Sequence, residues 1–506
     1  MGSVQNDIYK ALMLKHGLLF SLFTVQYPTL VNMPQTRHPI IGGIETEGLA
    51  GLHEVCSPHL GTVVGLVSYL NPLQMKMAIT EADNAFHSFR NISHGDRSDI
   101  LQRTSDLLAE RKEEIAALIT AESGKPITYS RIEVDRAVFT FKASAKAALH
   151  ANDDITPDLL GAPNAVGRTV TYRYFPLGVI AAITPFNFPL NLVAHKVAPA
   201  IAAGNTLLLK PAPQTPLTAF MLADIMKEAG LPDGVLNVVP CDNDVAEAMV
   251  IDDRIKMLSF TGSAAVGWKL KSLVPKKKVA LELGGNGSVI IDEVKDWDSL
   301  INSLTIAAYY YAGQVCISLQ NLYVKRSLYE EMLDKMVRAS KALMALDPTH
   351  EETILGPMIS EAAAIKVKLW LEEAVSAGAT MHCGNYMAPN YLSPTVLTNV
   401  PESATIFKEE AFAPVLLIIP YDDITEAIAK INSGRYGLQA SLYSSDPKMI
   451  ERVYNELEVG GLIVNDTNTF RIDTMPYGGV KDSGFGREGI EFAMREMGEI
   501  KVVVRR

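Results

Sequence analysis

Beyond residue 35 two apolar patterns alternate along the chain. Short continuous apolar runs, GVIAAIT (178–184), NTLLLK (205–210), GVLNVVP (234–240), KMLSFTG (256–262) and VALELGG (279–285), read as strands buried on both faces. LNLVAHKVAPAIAAG (190–204) and PLTAFMLADIMKEAG (216–230) lie among them with helical apolar spacing and a closing glycine. This rhythm predicts a parallel sheet covered by helices, a doubly wound α/β domain whose ligands sit at the carboxyl ends of its strands. A second αβ pattern runs from about 288 to 485.

The flanks add further elements. GTVVGLVSYL (61–70) reads as strand, and 72–90, 96–122 and 127–149 read as helices. The stretch 153–178 is rich in turn residues and ends in the alternating run RTVTYRYF, which predicts a protruding two-stranded element. The chain closes with a helix at 488–495 and a strand, IKVVVRR (500–506). A terminal strand needs a partner, and the protruding hairpin of this or another subunit is the natural one. Residues 11–33 are apolar but broken by Lys15, His16, Gln26 and Pro28, which makes a poor membrane span. Residues 1–35 are therefore read as an extension outside the core.

Composition narrows the function classes. The 506 residues exceed one simple core, so two or more domains are expected. A formal net charge of -11 argues against nucleic acid as a partner. Cys56, Cys241, Cys316 and Cys383 show neither metal-ligand pairs nor a disulfide framework, which points to a reducing compartment.

The chemistry collects at strand ends. Cys316 lies in YAGQVCISLQ, and Glu282 ends the apolar run before Gly284 and Gly285. A thiolate that attacks a carbonyl and a carboxylate that later activates water would make a covalent enzyme. A structural ion pair is the alternative for Glu282. Asn187, just past a strand, can donate to an oxyanion or cap the next helix. Lys210 can meet ribose or phosphate, or be an ordinary strand-end lysine. Gly262 and Ser263 form a turn into a helix whose N–H groups can hold pyrophosphate, or only a capped helix. Glu410 and Phe412 offer a carboxylate and a ring for a ribose and a nicotinamide, or a surface pair with a core phenylalanine.

The ordered motifs TPFNFP, LLLKPAPQTP, FTGSAAVG, LELGG, GQVC, EEAFAPV and MPYGGVKDSGFGRE together resemble the aldehyde dehydrogenase superfamily from residue 45 to the C-terminus. The resemblance implies a Rossmann-like cofactor domain (36–151 and 177–286), an α/β catalytic domain (287–486) and a small β oligomerisation element (152–176 and 487–506). It implies a cytoplasmic homodimer or homotetramer with no metal, no nucleic acid and no membrane, acting on a small aldehyde. Cys316 would be the nucleophile, its backbone N–H and Asn187 the oxyanion hole, and Glu282 the base that hydrolyses the thioester left after hydride transfer. Lys210 and Glu410 would hold the two riboses. Further cofactor contacts would come from Ile183, Thr184, Pro185, Ala212, Pro213, Gly262, Ser263, Val266, Leu283 and Phe412.

Departures from the family pattern sharpen the expectation. Pro213 stands where NAD-preferring members often carry Glu, so both the grip on the ribose and the repulsion of a 2′-phosphate are missing. Either NAD or NADP is expected, with NAD ahead on the family pattern. The substrate pocket would include Phe186, Val315, Ile317 and Phe470. Arg136 and Arg471 are candidates for a substrate anion, although ion pairs with Glu133 and Asp473 are the favoured reading. The pattern resembles branches acting on lactaldehyde, glyceraldehyde phosphate or phosphonoacetaldehyde. Glu282 favours hydrolysis over the alternatives, acyl transfer to coenzyme A or a non-catalytic scaffold. Because an ionised Glu282 would oppose a thiolate, Glu282 is expected to be mobile or protonated at rest.

Overall fold

The computed structural model describes residues 35–151 and 153–506. The extension read at 1–35 thus lies outside the described residues, except for Gln35. Val179–Ile183 is apolar and buried at every position, and Thr206–Lys210 is buried at every position including the lysine. These strands sit in the middle of an eight-stranded sheet. The neighbours Ile255–Thr261 and Lys278–Glu282 lie on one side and Leu236–Val238 on the other, all parallel. The order reverses at Val179–Ile183, so the crevice at its carboxyl end is where such sheets take ligands. Asn187, Lys210, Gly262 and Glu282 all follow or end strands at that edge.

A second sheet has seven strands. Gly287–Ile291, Leu319–Lys325, Val415–Tyr421, Thr395–Thr398, Gln439–Tyr443 and Gly461–Val464 are parallel, and Thr380–Cys383 is antiparallel at one edge. Cys316 lies just before Leu319–Lys325. Gly484–Phe485 leaves the later part of the chain and pairs antiparallel with Lys278–Glu282. The first sheet is therefore completed from beyond residue 287.

Two elements of the flanks differ from the sequence reading. The helix expected over 96–122 is two, His94–Glu110 and Lys112–Ser123, because Arg111 leaves helical geometry at φ -97 and ψ 19. Apolar spacing continues across the break and carries no sign of it. The two-stranded element is not a hairpin within 153–178. Thr169–Pro176 pairs antiparallel along its whole length with Gly498–Arg505 of the same chain. Eight consecutive ladder pairs outcompete a local partner whose turn-rich sequence supplies only one bridge, Ile155 to Tyr172.

Buried charge ties the helices to the site. Lys125 and Glu133 form a fully buried ion pair. Glu133 Oε1 also accepts from the backbone N–H of Leu190 and Asn191, at 2.9 and 3.0 Å, and so caps the helix Asn191–Ala203. Burial pulls the Lys125 ammonium down to about 8 against the pull of Glu133. Lys125→Met strands a buried carboxylate and is expected to cost about 3–5 kcal/mol. Urea unfolding should show this as a lower midpoint, with most of it recovered by the added change Glu133→Gln. An unchanged midpoint for the single variant would mean the pair carries no stability.

Candidate active site

Three consecutive residues before the thiol, Tyr311, Ala312 and Gly313, have φ of 51, 55 and 67°. A left-handed run with two non-glycine residues is strained, and such strain persists only where the surroundings impose it. Here the buried Tyr311 hydroxyl donates to Ser123 O at 3.2 Å, and Gln314 Nε2 donates to Tyr311 O and Pro357 O, each at 3.2 Å. A side chain at Gly313 would stand 2.3 Å from Ala413 O. The loop is thus clamped from three sides, and it delivers Cys316 between the buried side chains of Val315 and Ile317.

Asn187 reaches the same loop. Its Nδ2 donates to Gln314 O at 2.9 Å, two residues before the thiol, and its side chain is buried. It does not cap the following helix, since Glu133 takes that role. The second Nδ2 hydrogen has no recorded partner, and the Cys316 backbone N–H makes no backbone hydrogen bond among the described residues. Two donors beside one thiol are the pair that an oxyanion requires.

Cys316 Sγ lies 3.2 Å from the Tyr477 hydroxyl. Burial pushes the thiol up to about 11, and the Glu410 and Glu282 carboxyls push the same way. The Tyr477 hydrogen bond and the Arg471 guanidinium oppose them. At neutral pH the resting residue is a thiol. Glu282 is buried with both oxygens unpartnered, and burial followed by the Glu488 carboxylate holds it well above the carboxylate range. Burial thus favours the neutral carboxyl over the charged one. Gly478, at φ 156°, makes room for it, since a Cβ there would come within 3.0 Å of Glu282 Oε1.

The two arginines do form ion pairs, but with other partners than their sequence neighbours. Arg136 holds Asp473 with two bonds of 2.6 and 3.2 Å, and Glu133 is committed to Lys125. Arg471 pairs with Glu488 at 3.1 Å, not with Asp473. Its guanidinium lies 3.7 Å from the Tyr477 ring centre, a stacked cation–π contact. Lys196 completes the group, bonding Glu488 at 3.2 Å and Ser259 at 3.1 Å. Tyr477, Lys196, His195 and Glu488 were not named from the sequence. Two signals were visible: His195 and Lys196 are polar residues within a largely apolar helix, and Tyr477 and Glu488 lie inside the motif MPYGGVKDSGFGRE.

The cofactor candidates line the carboxyl edge of the first sheet. The Thr184 N–H donates to Lys210 O, and the Gly262 N–H to Glu282 O. Ile183, Thr184, Ala212 and Leu283 are buried there, Pro185 is half-buried, and Val266 and Ser263 are exposed on the helix Ala264–Leu273 and at its start. Lys210 Nζ has no ion-pair partner among the described residues, and burial lowers its pKa. Ser263 makes no side-chain cap, so the first N–H groups of its helix stay available. Among the described residues Glu410 has no ion-pair partner and accepts only the Gly285 N–H, at 3.1 Å, and burial pushes it up to about 7. A Cβ at Gly284 would stand 2.1 Å from its Oε2. Phe412 meets the Phe186 ring edge-on at 5.9 Å. An unpaired cation, a free helix N-terminus, an unpaired carboxyl and an aromatic face fit a dinucleotide's ribose, pyrophosphate and nicotinamide. Pro213 is exposed, and Phe470, at 42% exposure, stays outside the apolar cluster around Cys316.

Comparison with known proteins agrees with this geometry. The model of the aldehyde dehydrogenase family matches residues 45–503. The chain is 39% identical over 461 residues to the 3-sulfolactaldehyde dehydrogenase of Priestia megaterium, covering 91% of this chain and 96% of that protein. The crystal structure of aldehyde dehydrogenase 21 from Physcomitrella patens, in complex with the reaction product succinate, superposes with a TM-score of 0.91 at 38% identity, over 94% of this chain and 99% of that one. Glyceraldehyde-3-phosphate dehydrogenase GapN from Methanocaldococcus jannaschii, complexed with NADP, gives a TM-score of 0.85 at 35% identity, over 91% and 100% of the two chains.

Proposed function

The chain belongs to the aldehyde dehydrogenase family and is an NAD(P)-dependent enzyme, and from that premise we propose that it oxidises a short aldehyde carrying an anionic group to the corresponding acid. The observation that carries this reading is the charge arrangement beside the thiol. Among the described residues Arg136, Arg471 and Lys196 form ion pairs only with Asp473 and Glu488, and Glu282, held well above the usual carboxylate value by burial, pairs with none of them. Three cations thus share two paired carboxylates, and Arg471 Nε is buried without a partner among the described residues. A substrate anion would supply both the missing charge and the missing acceptor. The three relatives support the class, since sulfolactaldehyde, succinate and glyceraldehyde 3-phosphate each carry an anion away from the reacting carbon.

The residues divide the work. The Cys316 sulfur adds to the aldehyde carbon as its thiol proton passes to solvent, with Asn187 and its own N–H taking the oxyanion. Lys210 and Glu410 would hold the riboses, the helix N-terminus at Ser263 would take the pyrophosphate, and Phe412 would border the nicotinamide. When bound, that ring supplies the hydride acceptor. Glu282, once ionised, takes a proton from water so that hydroxide releases the acid from the Cys316 thioester. Its presence favours hydrolysis over coenzyme A transfer. With no carboxylate at Pro213, NADP is admitted as well as NAD.

The assembly is a homodimer or homotetramer, because Gly498–Arg505 leaves Ile500, Val502 and Val504 about half exposed beside an open strand edge. Four free cysteines suit the reducing cytoplasm, and among the described residues no helix is long and apolar enough to cross a membrane. The test is a set of short aldehydes, each anionic one matched to a neutral counterpart, assayed with both cofactors by reduced-nicotinamide absorbance. The anionic members should lead by about a hundredfold in kcat/KM. Equal rates within the pairs would sink the proposal.

A further inference from the structure

We infer that His195 is a positioning residue that keeps Asp473 on Arg136 and away from Arg471, and thereby leaves Arg471 charge available to the substrate. This rests on the anionic-aldehyde reading above. Every residue of the helix Asn191–Ala203 is buried, so its one imidazole must find its partners inside the protein. His195 Nε2 lies 2.8 Å from Asp473 Oδ1 and 3.3 Å from Arg471 Nη2, while Nδ1 has no partner. One ring nitrogen cannot donate to the first and accept from the second. The carboxylate is the stronger partner, which places the proton on Nε2 and leaves the arginine contact as packing. Arg471 Nη2 has Glu488 Oε2 at 3.1 Å instead.

The ring is therefore a wedge between two ion pairs, Arg136–Asp473 and Arg471–Glu488. Asn191 also touches Asp473, at 3.3 Å, but no bond links it to Arg471 among the described residues. Asp473 and Arg471 are only two positions apart in the loop, and an unshielded carboxylate would be drawn to that guanidinium. Arg471 would then face two carboxylates, Glu488 and Asp473, and its leftover charge would be cancelled. Arg136, a quarter exposed, would lose its ion-pair partner among the described residues.

The test compares KM and kcat for an anionic aldehyde and its neutral counterpart in the wild-type enzyme and three variants. His195→Leu removes the wedge and should raise KM for the anionic aldehyde about tenfold or more, with both constants for the neutral aldehyde within about twofold of wild type. His195→Gln offers an N–H to Asp473 and a carbonyl oxygen to Arg471 from one end, and should restore KM to within about threefold. His195→Asn is one methylene shorter, cannot span both, and should resemble leucine; it carries the comparison should the leucine variant fail to fold. An equal loss on both aldehydes, an unchanged KM for the anionic one, or no rescue by glutamine would overturn the inference. A wild-type enzyme without preference for the anion would overturn the substrate reading first, and this inference with it.

Discussion

Cys316→Ala should lower NAD(P)H formation by about four orders of magnitude or more with every aldehyde, since no other side chain can take over covalent addition. Protein stability and cofactor affinity should stay close to wild type. The thiol is only partly buried, and the one hydrogen bond lost is the 3.2 Å contact to Tyr477. Initial rates, a thermal melt and titration of cofactor binding separate these outcomes. Retention of a few per cent of the activity would rule out a thioester route. The same residue predicts a pH effect. With the thiol pushed up to about 11, alkylation of the resting enzyme by iodoacetamide should be slow at neutral pH and rise steadily through alkaline pH.

Glu282→Gln should separate the two halves of the reaction. The first turnover, read as a burst of about one reduced cofactor per subunit, should survive because addition and oxidation do not use the carboxylate. Steady turnover should fall by about 10²–10⁴-fold because water then lacks its base. The sign of the pH dependence follows from the raised pKa. Glu282 is protonated at low pH and active only when ionised, so hydrolysis in the wild type should rise with pH through that pKa. The rise should be absent from the variant. Loss of the burst together with turnover would move Glu282 to an earlier step. A strict need for coenzyme A in the wild type would favour acyl transfer instead.

The parts of this protein legible in its sequence are those set by short-range patterns. The run VIAAI can only be a strand covered on both faces, and its repetition between amphipathic helices implies the parallel sheet. Strand ends in such a sheet are ligand positions, which placed Asn187, Lys210, Gly262 and Glu282 at the crevice before any contact was known. Local geometry was less legible. Arg111 interrupts a helix whose apolar spacing runs on undisturbed, and Asn243–Ile251 is a helix that the strand–helix reading passed over.

Partnership between side chains was decided by the tertiary fold. Arg136 and Asp473 are 337 positions apart, His195 and Asp473 278, and Asn187 and Gln314 127. Sequence proximity favoured Glu133 for Arg136 and Asp473 for Arg471, and both choices lose to more distant groups. A buried carboxylate has strong claims from backbone N–H groups and the nearest ammonium, as Glu133 has from Leu190, Asn191 and Lys125. The sequence by itself determined the fold class and the family, because these follow from periodicity and from ordered motifs. Only the tertiary structure decided which charges neutralise one another, because in a low-dielectric interior that balance depends on ångström distances between elements far apart in the chain.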